Sequence, residues 1–430
     1  MKQGLQKNDL IATANHLLFL VFFVSLLFSF RAISSISIAL ILLTGILFNR
    51  KLWSSLWQQR PVNFLLAACI LFFLLQVISL LYTHNREQGL DHIRMRSGVA
   101  ITPLAVFCSG YIYRETGKKL LYHYCLILFV ASAYCAVMMT REFLRSNDMT
   151  DLFYHRLVSP LHQHAVYYSF FVLIALVFLL EMIKQERTMI PKIACILLIV
   201  YFSIFLFFLS SKLVISAYST WLIIYFIRSL KKGRMQKILS LIVLGFLLIA
   251  GIVTFTTKNS VSKRFAEILD GNMDLFQKDQ YNPGVYFNEL QYRLLQWKLV
   301  PEILNKKKAW LVGVSPGDAQ QSLDSEYISR NMYVGDGRSD KGFLGSNPHN
   351  QFLQSLLENG VTGLLLFLII CVIMIRMALQ TRRAATIFLI FLLILYSFVE
   401  SIFATQYGII LFIFFPVLFA LGNNPEKPGK

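Results

Sequence analysis

Ser346-Asn347-Pro348-His349-Asn350-Gln351-Phe352-Leu353-Gln354-Ser355-Leu356-Leu357-Glu358-Asn359-Gly360-Val361-Thr362-Gly363 closes the long polar segment of an otherwise apolar chain and runs straight into a hydrophobic span. Asn347 followed by Pro348 reads as a helix start, because Asn caps and Pro is tolerated at the first helical position. His349 and Asn350 are then expected in the first turn. Phe352, Leu353, Leu356 and Leu357 recur at helical spacing and make one apolar face, and Gly360 and Gly363 permit a bend before the next span.

Composition carries the same message outward. The 430 residues are 56% hydrophobic and 15% charged, with 37 Phe. That is too apolar for a soluble chain, and the apolar runs recur at roughly the 20 residues that cross a bilayer. Spans are expected near 11–30, 33–49, 62–82, 98–113, 120–139, 163–181, 193–210, 213–229, 238–257, 361–379, 384–402 and 408–422. The expected fold class is an all-α polytopic membrane protein of about twelve transmembrane helices, without the alternation of a membrane barrel. Residues 1–257 would hold the first nine spans, 258–360 a large and mostly helical external loop domain, and 361–430 the last three spans and a tail. Within the loop, Val285 to Leu304 has helical spacing, Gly313, Pro316 and Gly317 mark a turn, and 336–342 is a flexible link.

The formal charge of +18 is not a nucleic-acid signal. Basic residues gather in short links, such as Arg114, Lys118 and Lys119 or Arg376, Arg382 and Arg383, whereas 258–360 is balanced. With the N-terminus inside, the basic clusters fall on the cytoplasmic side, as the positive-inside bias requires. Both termini are therefore expected on the cytoplasmic side and the large loop outside. The six cysteines fall in apolar spans and read as packing residues rather than a disulfide or zinc framework. The first span lacks a small-residue cleavage site and reads as retained.

Three external basic positions beside spans are candidates for chemistry: Lys212 in the tight turn Ser210-Ser211-Lys212, Arg293 ahead of Trp297, and His349. The alternative for each is a solvated face or a side chain snorkelling to headgroups. The links 83–97 and 140–161 add Arg86, Arg94, Arg96 and Arg156, which would contact anionic headgroups or line a route for them. His162 and His164 are two apart, a spacing that splays them on a helix.

Pro348-His349-Asn350, with Leu353, Glu358, Gly360 and Gly363-Leu364-Leu365, resembles the signature that ends the periplasmic loop of the O-antigen ligase and polymerase superfamily. Arg293 and Trp297 followed by Gly313-Val314-Ser315-Pro316-Gly317 is similar to a second family segment. Ser211-Lys212 stands where the family usually has Ser-Arg, and the stretch Arg156 to His164 weakly resembles a further one. The resemblance implies about twelve membrane helices and transfer of a glycan from undecaprenyl diphosphate to an acceptor, either lipid A-core or another glycan or protein. It implies His349 as general base and Arg293 and Lys212 as diphosphate binders; Asn350, Arg156 and Trp297 in the matching segments, and Arg86 and Arg94 in the basic link, are the further candidate substrate contacts. Lysine at 212 keeps the charge but loses the fork that grips phosphate bidentately.

Elementary chemistry agrees with that assignment. A diphosphate leaving group needs positive charge near its departing oxygens. A helix N-terminus at Pro348-His349 would add backbone donors and a dipole that favours a neutral imidazole able to accept a hydroxyl proton. Asp324, Glu326, Asp336 and Asp340 sit in polar sequence expected to be loop and read as solvated acids, so a metal-independent, inverting transfer without a cofactor is expected. Ligase, polymerase and protein glycosylation share the donor chemistry, so the motifs do not separate them. A lipid or glycan transporter is a different class, which more often shows internal repeats and midplane charges; here the polar residues lie at one face.

Overall fold

The computed structural model describes residues 2–48, 60–109, 116–185, 188–229, 275–337 and 340–421, with the isolated positions 238, 241 and 245. The span expected at 238–257 lies outside the described residues. Every other expected span carries a helix, as it must where hydrocarbon offers the backbone no hydrogen bonds. In chain order the helices are α1 (Lys2–Leu27), α2 (Arg31–Phe48), α3 (Arg60–Ile78), α4 (Arg86–Ser109), α5 (Thr116–Ser146), α6 (Ala165–Gln185), α7 (Met189–Phe208) and α8 (Lys212–Ser229). There follow α9 (Glu289–Lys307), α10 (Pro316–Ser329), α11 (Gln351–Thr381) and α12 (Ala384–Tyr396). Last, α13 (Gln406–Ile409) passes through a π-helical stretch, Ile410–Phe414, into α14 (Phe415–Leu421). No strand occurs among the described residues.

Six of the described helices are long and apolar enough to cross a membrane, and Ile11–Leu27, Ala384–Tyr396 and Gln406–Phe419 are shorter apolar helices. The chain is a multi-pass membrane protein. α6 is the central helix: 83% of its apolar window is buried, against 28–44% for the other five, as expected of a helix that is apolar all round. A second apolar core forms around α9 and α10 from residues such as Leu295, Leu299, Tyr327 and Leu357.

Several local expectations are corrected. α4 begins at Arg86, so 83–97 is largely helix rather than a link, and α5 continues to Ser146 into the segment read as a link from 140. The helix expected at Val285–Leu304 starts later, at Glu289, where Asn288 and Gln291 form a capping box. Asp324 and Glu326 lie on α10, not in a loop. His162 and His164 are on no helix; His162 takes a left-handed conformation (φ 51°), and His164 precedes α6.

The break that the glycines permit falls at Asn359 and Gly360, whose backbones are non-helical inside α11 (Gly360 φ 63°, ψ −159°). A strap from Trp310 to Ser315 lies against that break. Val314 N and Ser315 N donate to Leu357 O and Glu358 O at 2.9 Å each, and Val361 N donates to Trp310 O at 2.8 Å. The approach is too close for side chains: a Cβ on Gly313 would lie 2.3 Å from Glu358 C, and one on Gly360 2.4 Å from Leu311 C. Both glycines also have positive φ.

Beneath the strap sits a buried ion pair. Arg96, expected at a headgroup surface, is 1% exposed, as is Glu358. Arg96 Nη1 and Nη2 donate to Glu358 Oε2 and Oε1 at 2.5 and 2.6 Å. Gln76 accepts from Arg96 Nη1 at 2.7 Å and donates to Asn359 Oδ1 at 2.5 Å, while Gln354 donates to Glu358. The network ties α3 and α4 to α11 at its break. The strap is held from its far side by Asp318, which accepts from His84 N and Asn85 N at 2.9 Å each and from Ser315-capped α10 presents its carboxylate to that turn.

Truncating Glu358 to Ala strands a buried guanidinium and should cost about 3–5 kcal/mol, read as a fall in the melting temperature of the detergent-purified protein. The apolar pair Arg96→Met with Glu358→Leu should recover much of that loss. Asp318 gives a pH prediction. Burial raises its pKa, but the hydrogen bonds from His84, Asn85 and Ser315 outweigh it and hold the carboxyl below its ordinary 3.8. The stabilisation is thus present above pH 3.8 and lost as pH falls through the lower folded value. The amide protection factors of His84 and Asn85, taken relative to intrinsic exchange at each pH, should fall on acidification below pH 3.8 in the wild type and be flat with pH in Asp318→Asn.

Candidate active site

Three helix ends converge on a cavity of about 410 Å³. The turn Ser210-Ser211 ends with Lys212 as the first residue of α8, one turn of α9 presents Glu289 and Arg293, and the chain before α11 presents His349. Lys212, Arg293, Trp297 and His349 all line this cavity although they are up to 137 positions apart, as the numbers 212 and 349 give. Lys212 and Arg293 keep 15% and 20% of their side chains exposed, so their charge is neither buried nor fully hydrated.

Glu289 joins the two cations. Its Oε2 lies 3.5 Å from Lys212 Nζ and its Oε1 accepts from Arg293 Nη2 at 2.7 Å. A carboxylate is therefore accommodated between these two side chains. The sequence signal was the ordinary i,i+4 spacing of Glu289 and Arg293, which by itself reads as a helix-surface pair.

His349 is not in the first turn of a helix. α11 begins at Gln351, and Asn350 is its cap, its Oδ1 accepting from Phe352 N and Leu353 N at 2.9 and 3.1 Å. The expected start at Asn347-Pro348 is thus three residues early, because Asn350 satisfies the orphan N–H groups that Asn347 was expected to cap. Asn347 instead accepts from His349 N at 2.9 Å. His349 holds φ 45°, an unusual conformation for a residue with a Cβ. α9 fixes the carbonyls on either side of Pro348: Gln296 donates to Asn347 O at 2.5 Å and Trp297 Nε1 to Pro348 O at 3.0 Å.

The imidazole faces a second carboxylate. Glu400, at the outer end of the turn between α12 and α13, has Oε2 3.4 Å from His349 Nδ1 and is 17% exposed. With Nδ1 engaged this way, Nε2 is the ring nitrogen left as acceptor in the neutral imidazole. Glu400 was missed in the sequence, where it closes an apolar run; a carboxylate in that position was the signal.

The remaining expected contacts lie elsewhere. Asn350 is buried as the cap. Arg156 pairs with Asp148 and Asp151 at 2.9 and 2.6 Å and does not line the cavity. Arg86 is exposed at the start of α4, and Arg94 lines a neighbouring cavity. The acids weighed for a metal have protein partners: Glu326 meets Lys306 and Arg330, Asp324 accepts from Gly345 N, and Asp340 accepts from Tyr333.

Residues 194–368 match the O-antigen ligase family, a range that includes Lys212, Glu289, Arg293, Trp297 and His349. That match supports the O-antigen ligase superfamily for this segment of the chain. No curated protein matches the chain. Glu400 lies beyond the matched range, as does Arg96, so the structure adds both to what the match covers.

Trp297→Phe retains the ring packing and deletes one donor to Pro348 O. The expected cost is about 0.5–1.5 kcal/mol of stability, seen by thermal unfolding, while Trp310→Phe, whose Nε1 bonds Asn305 away from the cavity at 2.7 Å, should leave His349-dependent activity intact.

Proposed function

We propose that this chain is a member of the O-antigen ligase superfamily and transfers a glycan from a polyprenyl diphosphate, undecaprenyl diphosphate in a bacterial inner membrane, to an acceptor hydroxyl, with lipid A-core as the acceptor. The observation that carries the reading is the convergence of Lys212, Arg293 and His349 on one cavity, with a carboxylate already bridging the two cations. The diphosphate displaces Glu289 and takes its place between Lys212 and Arg293. His349 accepts the acceptor hydroxyl's proton at Nε2 while Glu400 holds Nδ1 and offsets the imidazolium that forms. The hydroxyl oxygen bonds to the anomeric carbon as the bond from that carbon to the diphosphate breaks. The electron pair leaves on polyprenyl diphosphate, whose charge the two cations neutralise. A single displacement of this kind inverts the anomeric configuration. The reaction needs no metal, because side-chain cations take the role a metal would have at the diphosphate.

In a reconstituted assay with lipid-linked donor and acceptor in vesicles, His349→Ala should lower turnover by about 10²–10⁴-fold. Wild-type turnover by that variant would remove the base assignment. Turnover should also be unchanged by EDTA, and a loss restored by magnesium would contradict the metal-independent step. A polymerase shares every feature above; a deletion strain separates the two, since accumulation of carrier-linked chains marks a ligase and capping by a single repeat marks a polymerase.

A further inference from the structure

A second cavity, of about 620 Å³, adjoins the first and shares His164 with it as a wall residue. Its lining is graded. Along one face of α2, Arg31, Ser35 and Ile38 follow at i, i+4 and i+7; along α4, Arg94, Gly98 and Ile101 do the same. Gln406 is likewise followed by Ile409 and Ile410. At 1.5 Å per residue, α2 and α4 each run from cation to isoleucine over roughly 10 Å.

The polar end is cationic. His155, His162 and His164 line it with the two arginines, and among the described residues no aspartate or glutamate does. Gln163 donates to Leu26 O at 2.8 Å at the end of α1, which holds the histidine segment beside the start of α2. His155 Nδ1 and His164 Nδ1 accept from Ala165 N and Val166 N at 3.3 Å each, so the ring proton resides on Nε2 as a donor. Arg94 pairs with Asp91 at 2.9 Å along its own helix, but both are well exposed, and such a pair yields readily to a stronger anion.

We propose that this cavity is the acceptor pocket and takes a phosphorylated glycolipid. Phosphate groups sit among Arg31, Arg94 and the imidazoles, and acyl chain lies along the isoleucine end. The hydroxyl to be glycosylated reaches His349 past His164. The turn 397–405 couples the two chambers: Glu400 faces the first, Ala404 and Thr405 the second. The inference rests on the glycosyl transfer proposed above.

The test titrates the full chain in detergent with dihexanoyl phosphatidic acid, dihexanoyl phosphatidylcholine and inorganic phosphate. Phosphatidic acid should bind more tightly than either other probe. Arg31→Gln with Arg94→Gln should weaken it by at least about tenfold, the loss expected for charge-assisted hydrogen bonds, and by more than Arg293→Gln does. Equal binding of phosphatidylcholine, equally tight binding of inorganic phosphate, or an unchanged constant in the double variant overturns the proposal. Where the double variant fails to fold, Arg31→Gln and Arg94→Gln singly decide it, each expected to weaken phosphatidic acid and an unchanged constant in both overturning the proposal. In the transfer assay the double variant should raise the acceptor KM and leave the donor KM unchanged. A raised donor KM instead overturns this inference and leaves the functional reading standing. Absence of transfer by the wild type overturns the functional reading alone, and the lipid titration still decides whether the cavity binds a phosphorylated amphiphile.

Discussion

The Arg96–Glu358 pair is the contact on which the remaining architecture depends. A charge in an apolar bundle is tolerated only when its partner and further hydrogen bonds are in place, and here Gln76 and Gln354 supply them. That requirement fixes α4 against α11 at the level where α11 breaks. The break exposes Leu357 O and Glu358 O, which a continuous helix would have used internally, and the strap 310–315 takes them. With the strap placed, α9 and α10 are placed, and α9 carries Arg293 and the donors that hold Pro348. The position of His349 is thus a consequence of a pair more than one helical turn away from it.

Electrostatic organisation follows a similar economy. The cavity brings two cations and an imidazole together, and each has a carboxylate: Glu289 for the cations, Glu400 for the ring. Glu289 is half-exposed and holds its partners loosely enough to be exchanged, whereas Glu358 is sealed in and holds permanently. Exposure separates an ion pair suited to a binding site from one suited to the frame.

Much of this was readable in the chain. Apolar runs of bilayer length announce helices because the backbone has no other solution in hydrocarbon, and the glycine at 360 announced the bend. His349, Arg293 and Lys212 stood out as polar groups beside spans. The helix start was misplaced because Asn347-Pro348 and Asn350 are both competent caps, and only the Ser397 carbonyl that receives Gln351 N and the donors of Gln296 and Trp297 choose between them. Arg96 was misread for a related reason. Its neighbours in sequence are Arg94 and Ser97, and nothing local reveals a carboxylate 262 positions away.

The sequence by itself determined a helical membrane protein, the family resemblance of residues 194–368, and the candidate positions Lys212, Arg293 and His349, because hydropathy, helical spacing and motif order are local properties. The tertiary structure decided which charges are structural and which are available. It placed Lys212 and Arg293 around one carboxylate, gave His349 its partner Glu400, buried Arg96, and set a graded cationic chamber beside the first. Those outcomes depend on distances between helices, and pairing across such distances leaves no local pattern in the chain.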